Sequence, residues 1–145
     1  MLSLKKKMNP KPKIEKAVVA ITYDKDDFLI LKRKGNWIGW QFCQGRIEEG
    51  ESEEQAVLRE LKEETNLDGE IVKKLDMEYD YRFQSDGENI HKFLTFFLVK
   101  VDKEKEVKID VEHSEWKWVD YETALEMIKF NKDKFEQAYE QLKNL

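Results

Sequence analysis

Residues 45–67, GRIEEGESEEQAVLRELKEETNL, decide how the rest of the chain is understood. Gly45 and Gly50 make the approach to this segment a loop. Ser52 is a strong N-cap, and Gln55 three residues on completes a capping box, so a helix is expected to begin near Glu53. Ala56, Leu58 and Leu61 carry it forward without proline or glycine. Asn66 tolerates the left-handed conformation that closes a helix. On this helix Glu60, Glu63 and Glu64 stand at i, i+3 and i+4 and share one face. Three like charges so close repel unless a counter-charge offsets them. A hard divalent cation such as Mg²⁺ would do so, taking carboxylate oxygens and keeping other positions for water and phosphate. Glu-rich helices are usually solvated faces, and 39% of this chain is charged, so the glutamate spacing alone does not establish a site.

The 145 residues suit one domain, and 40% hydrophobic content with four Trp and eight Phe is enough for a core. No apolar run has the length of a membrane helix, and no apolar segment follows the lysine-rich start, so neither a membrane span nor a secretory signal is expected. The single cysteine, Cys43, excludes an internal disulfide and fits a reducing cytoplasm. The net charge of −5 supplies no global basic field for DNA. Residues 1–16 hold six lysines and one glutamate, so the remainder carries −10. Residues 1–12 read as a flexible leader and 13–145 as the domain; the lysines are either solvated or an arm that touches substrate phosphates.

Along the chain, Ile14–Thr22 is a buried strand by its β-branched residues, and Asp24–Asp27 is a turn into a second strand, Phe28–Lys32. Asn36–Phe42 is a loop or short strand. Glu70–Phe83 reads as one longer strand region, turned at Asp86-Gly87 into an antiparallel partner, His91–Val101. Glu115–Val119 is a further strand. Asp120 caps a helix from Tyr121 to about Phe130, and a last helix covers about Asp133–Leu145. Strands on both sides of one helix, followed by terminal helices, predict a mixed β-sheet sandwiched between α-helices, an α/β/α arrangement.

The pattern from Gly45 is Gly, five residues, Glu51, seven residues, Arg59-Glu60-Leu61, one residue, Glu63-Glu64, one residue, Asn66-Leu67. It resembles the Nudix box, with Asn66 standing where the family has Gly; Asn is a common substitute where φ is positive. The resemblance implies the Nudix α/β/α fold and Mg²⁺-dependent hydrolysis of a phosphoanhydride, with Mn²⁺ as an alternative ion. It implies that Glu60, Glu63 and Glu64 ligate metal together with the Gly45 carbonyl, and that Arg59 and Glu51 hold the loop against the helix. Without the resemblance, that last pair is an ordinary surface salt bridge.

The similarity runs on outside the box. Trp40–Gly45 (WQFCQG) and Glu112–Val119 (EHSEWKWV) are similar to segments of RNA pyrophosphohydrolases and dinucleoside polyphosphate hydrolases, with Cys43 and Arg46 as departures. Glu112 matches a position that supplies a further ligand or general base, with Glu115 as its rival. Arg33 matches a phosphate-contacting position, and Phe130 one that stacks a nucleobase. Phe130 is also in register with Leu125 and Met127, which favours burial equally. Tyr79, Tyr81 and Phe83 alternate on one strand and could stack a base as well; Trp37 and Trp40 read as packing, and His113 as a solvated loop histidine. The expected substrate is a dinucleoside polyphosphate such as diadenosine tetraphosphate. RNA 5′ ends, free nucleoside triphosphates and a non-catalytic RNA-binding role are the alternatives, in a monomer or homodimer.

Overall fold

The structure, a computed structural model, describes residues 11–145. Its spine is β1 (Lys13–Asp24). Ala17, Val19, Ile21 and Tyr23 are buried on one face of it, Val18 and Ala20 on the other. A strand covered on both faces needs a nearly unbroken apolar run, which AVVAI supplies.

β1 runs parallel to β7 (Glu88–Lys100), from Lys13 opposite Ile90 to Tyr23 opposite Lys100. Its other edge pairs antiparallel with β4 (Cys43–Arg46), which sets Gly45 opposite Val18. Gly45 therefore lies in a strand, where a loop was expected. β2 (Asp27–Arg33) stays with β1 only at Tyr23–Phe28 and Asp24–Asp27. It then diverges to pair with β3 (Gly39–Gln41) and, along its length, with β8 (His113–Asp120).

The expected strand region Glu70–Phe83 is two strands, β5 (Glu70–Lys74) and β6 (Tyr79–Ser85), which pair with opposite ends of β7. Leu75, buried at 3%, still donates its N–H to the Phe96 carbonyl at 2.9 Å, and the pairing breaks after it over residues 76–78. Asp86 and Gly87, both at positive φ, make the tight turn from β6 to β7.

Helix α1 (Glu53–Thr65) covers one face of the sheet. Ala56, Val57 and Leu61 pack there with Val18, Ala20, Leu29, Leu31, Phe97 and Val99. α2 (Tyr121–Met127) and α3 (Lys132–Lys143) cover the other face. Phe135 of α3 meets Phe28 edge-on at 5.1 Å and Phe42 at 4.8 Å, and removing so central a ring would cost about 3–5 kcal/mol. The α/β/α sandwich is the expected one.

α2 ends earlier than the expected Phe130. Ile128 is extended, is buried at 2%, and bridges to Trp40, whose carbonyl accepts the Lys129 N–H at 2.9 Å. The chain therefore leaves the helix before Phe130. That side chain is 52% exposed and is no part of the core. Of the expected leader, residues 1–10 lie outside the described residues. Among those described, no helix is long and apolar enough to cross a membrane.

Candidate active site

The capping box forms as its residues dictate. Ser52 Oγ accepts the Gln55 N–H at 3.0 Å, and Gln55 Oε1 accepts the Ser52 N–H at 2.9 Å. Asn66 closes α1 in the left-handed conformation at φ 67°. Gly45 is required for a different reason. A Cβ there would stand 2.0 Å from Glu60 Cδ, so only glycine lets the β4 backbone lie against this carboxylate.

Arg59 is the hub of the box. It holds Glu51 in a fork, Nε at 2.6 Å and Nη2 at 2.9 Å, and Nη2 also donates to the Arg46 carbonyl at 3.0 Å. Nη1 donates to Glu60 at 2.8 Å and to Glu63 at 3.1 Å. One guanidinium thus ties the loop to the helix and offsets part of the repulsion among the carboxylates. Its hydrogen bonds, and then the Glu48 N–H, hold Glu51 down at about 2.

Glu64 differs from its neighbours. It is only 4% exposed, and burial, followed by the nearby Glu60, raises its pKa well above the usual carboxylate range. Its Oε1 has no hydrogen-bond partner. Burial, then Glu64, likewise pushes the Cys43 thiol up. His113 is no solvated loop residue; it opens β8 opposite Arg33 and is 3% exposed. Its Nδ1 lies 2.7 Å from Asp110 Oδ1, while its unpartnered Nε2 faces Glu64 Oε1 at 3.9 Å. The β2–β8 pairing, which spacing along the chain does not reveal, carries the imidazole inward.

Gly45, Glu60, Glu64 and Glu112 line one cleft of about 750 Å³ with Arg33 and Lys92. Glu112 is more than half exposed, 3.7 Å from Arg33. Its rival Glu115 pairs with Lys32 at 3.3 Å and does not line the cleft. Glu63 is outside the lining, turned to Arg59. Among the described residues no three acidic, histidine or cysteine side chains already converge as a ligand set. The donors nonetheless fit a hard cation: the groups that converge on the cleft from Gly45, Glu60, Glu64 and Glu112 are all oxygens.

A second cavity, about 500 Å³, adjoins the first and shares Arg33, Gln44 and Lys92 with it. Its walls include Trp37, Phe130, Tyr79 and Tyr81. Trp37 and Phe130 meet edge to face at 5.2 Å, with the Arg33 guanidinium 5.7 Å from the Trp37 ring. Tyr79, Tyr81 and Phe83 follow one another at 5.8 and 5.6 Å. The structure thus brings Arg33, Phe130 and Tyr81 together from three separate segments. It also moves Trp37 from expected packing to the cavity wall. Gln44 and Lys92 are additions that sequence reasoning missed. Lys92 had a signal: it is in phase with Ile90, Leu94 and Phe96 on an inward face, and burial lowers its pKa.

Residues 13–140 match the NUDIX domain family. The chain belongs to the Nudix family. It is a Nudix hydrolase, and such enzymes act on nucleotide substrates and generally use divalent metal ions such as Mg²⁺. An RNA pyrophosphohydrolase of Nitratiruptor sp. is 32% identical over 136 residues, 84% of this chain and 85% of that protein. The crystal structure of a C. elegans Ap4A hydrolase binary complex superposes with a TM-score of 0.74 at 25% identity, covering 90% of this Nudix chain and 99% of that one. An octanoyltransferase of Myxococcus xanthus is 39% identical over 106 residues, 70% of this chain, but the match spans only 29% of that protein.

Proposed function

We propose that this Nudix hydrolase cleaves a phosphoanhydride bond of a dinucleoside polyphosphate such as diadenosine tetraphosphate, with Mg²⁺ as cofactor. The observation that carries the reading is the joining of an aromatic cavity to an acidic cleft through Arg33, Gln44 and Lys92. A nucleobase suits the first, a cation-bound polyphosphate the second, and the shared cations suit the phosphates between them. Trp37 with Phe130 and Tyr79 with Tyr81 line that one cavity, which offers two aromatic groups to a substrate with two bases.

Glu60, Glu64, Glu112 and the Gly45 carbonyl would hold the metal, and Glu63 would join them on leaving Arg59. When bound, a divalent cation lowers the pKa of its water and neutralises phosphate oxygens. Arg59 and Glu51 keep the loop and helix in register. Arg33 and Lys92 bind and orient the polyphosphate, and Phe130, Trp37 and Tyr81 fix the base. Glu112 would serve as a further ligand or base, a reading supported by its place in the cleft lining beside Arg33.

A second reading, the 5′-triphosphate end of RNA, is favoured by the relative of that name, similar over most of both chains. A hydrolysis panel with Mg²⁺ separates them: diadenosine tetraphosphate, a triphosphorylated RNA oligomer, ADP-ribose and free nucleoside triphosphates. The dinucleotide should have the highest kcat/KM. Deleting residues 1–12 should leave it unchanged. If RNA is the substrate, loss of the leader's lysines should raise its KM at low salt and flatten the salt dependence. A higher kcat/KM for RNA that collapses on deletion would overturn the first reading.

A further inference from the structure

Three buried side-chain polar atoms among the described residues have no partner, Arg33 Nε and two that face each other. The facing pair is Glu64 Oε1 and His113 Nε2, 3.9 Å apart, on side chains 5% and 1% exposed. The imidazole is not free to swing away. Its other nitrogen lies 2.7 Å from Asp110 Oδ1, and the His113 N–H donates to the Asp110 carbonyl, so a tight turn fixes both backbone and ring. Glu64 sits on α1 and His113 at the start of β8, elements well separated along the chain.

We propose that the Asp110–His113 pair is a positioning device for Glu64. His113 holds the buried carboxyl by one oxygen, so that the other is aimed at the cation. The logic is that of outer-shell groups that orient a metal ligand by hydrogen bonding. Geometry carries the link: two buried, unpartnered polar atoms face each other, and an N–H on Nε2 would donate to the Glu64 carboxylate. The gap between them is too short to admit a bridging water and is closed by a small shift of either side chain. Asp110 supports the ring from behind, and Cys43 occupies another side of Glu64. His113 acts through Glu64 and is a positioning residue.

The inference rests on the reading of Glu64 as a metal ligand, and the experiment tests both separately. Mn²⁺ binding to the full-length protein is followed by electron paramagnetic resonance of the free ion. Near-UV circular dichroism reports the fold, and kcat and KM are measured alongside. The variants are Glu64→Gln, His113→Leu, His113→Gln and Asp110→Asn. His113→Leu should weaken Mn²⁺ binding by about 10–100-fold and lower kcat with little change in KM. His113→Gln, whose side-chain amide can reach the Nε2 position, should recover most of that loss. Asp110→Asn should fall between wild type and His113→Leu. A folded His113→Leu with wild-type Mn²⁺ affinity, beside a weakened Glu64→Gln, would overturn the positioning role and leave the metal site standing. Equal weakening in His113→Leu and His113→Gln would also overturn it, since packing rather than the hydrogen bond would then be the cause. Should His113→Leu fail to fold, Asp110→Asn decides: weaker Mn²⁺ binding with a native spectrum supports the proposal, and unchanged binding refutes it. Wild-type Mn²⁺ affinity in Glu64→Gln would remove the metal-site reading and this proposal with it.

Discussion

Replacing Gly45 by alanine should damage activity far more than stability. The added methyl would stand 2.0 Å from Glu60 Cδ and 2.3 Å from both carboxylate oxygens. An ordinary van der Waals contact needs about 3.4–4 Å, so one side must yield by well over 1 Å. The backbone cannot yield easily, because Gly45 lies in β4 within its ladder to β1, opposite Val18. Glu60 must therefore swing away, and its 2.8 Å hydrogen bond from Arg59 goes with it. The atoms met are the far end of a flexible side chain that can move into the cleft, so the stability cost should stay at the low end for overpacking, about 1 kcal/mol. A displacement of about 1 Å at a catalytic group costs on the order of 100-fold in rate. Gly50→Ala is the matched control. Nothing lies within 4 Å of a Cβ there, but its φ of +78° strains any side chain. That variant should lose about 1 kcal/mol, a Tm drop of a few degrees, and keep its kcat. Thermal unfolding and Mg²⁺-dependent turnover measured on both proteins test the contrast. Wild-type kcat in a folded Gly45→Ala would show that contact with the Gly45 backbone does not set the position of Glu60 for catalysis.

Glu64→Gln should cut kcat by at least about two orders of magnitude while Tm holds or rises, because the variant relieves the cost of a buried, unpartnered carboxylate. Turnover near wild type would remove Glu64 from the site. Glu51→Gln should flatten the acid limb of the stability curve. The folded-state pKa of Glu51 is depressed from 4.5 to about 2, so its contribution is complete above about pH 4.5 and is lost as pH falls toward 2. Thermal melts across that window should show a shallower slope than wild type, and an unchanged slope would contradict the Arg59 fork as the cause. Phe130→Ala should weaken substrate binding by roughly 1–3 kcal/mol, read in KM, with Tm nearly unchanged because the ring is half exposed. A Tm loss of several degrees at unchanged KM would return Phe130 to a packing role.

Local chemistry made much of this protein legible from its sequence. The helix of the box starts and stops where Ser52, Gln55 and Asn66 require, since caps and left-handed residues act within a turn of themselves. The β-branched run of β1 announced a buried strand. The box spacing carried the family, and with it the sandwich and the acidic residues to examine. What the sequence could not show depends on contacts between distant segments. The parallel pairing of β1 with β7, the division of Glu70–Phe83 between two ends of β7, and the early end of α2 at the Ile128–Trp40 bridge all follow from which strands share an edge. The same pairings bring Phe130, Trp37 and Tyr81 to one cavity and turn His113 inward to face Glu64. Hydrophobic period reports which face a side chain takes, but not what lies across from it. That is settled only when β2, β7 and β8 take their places in the sheet and α1 closes over it.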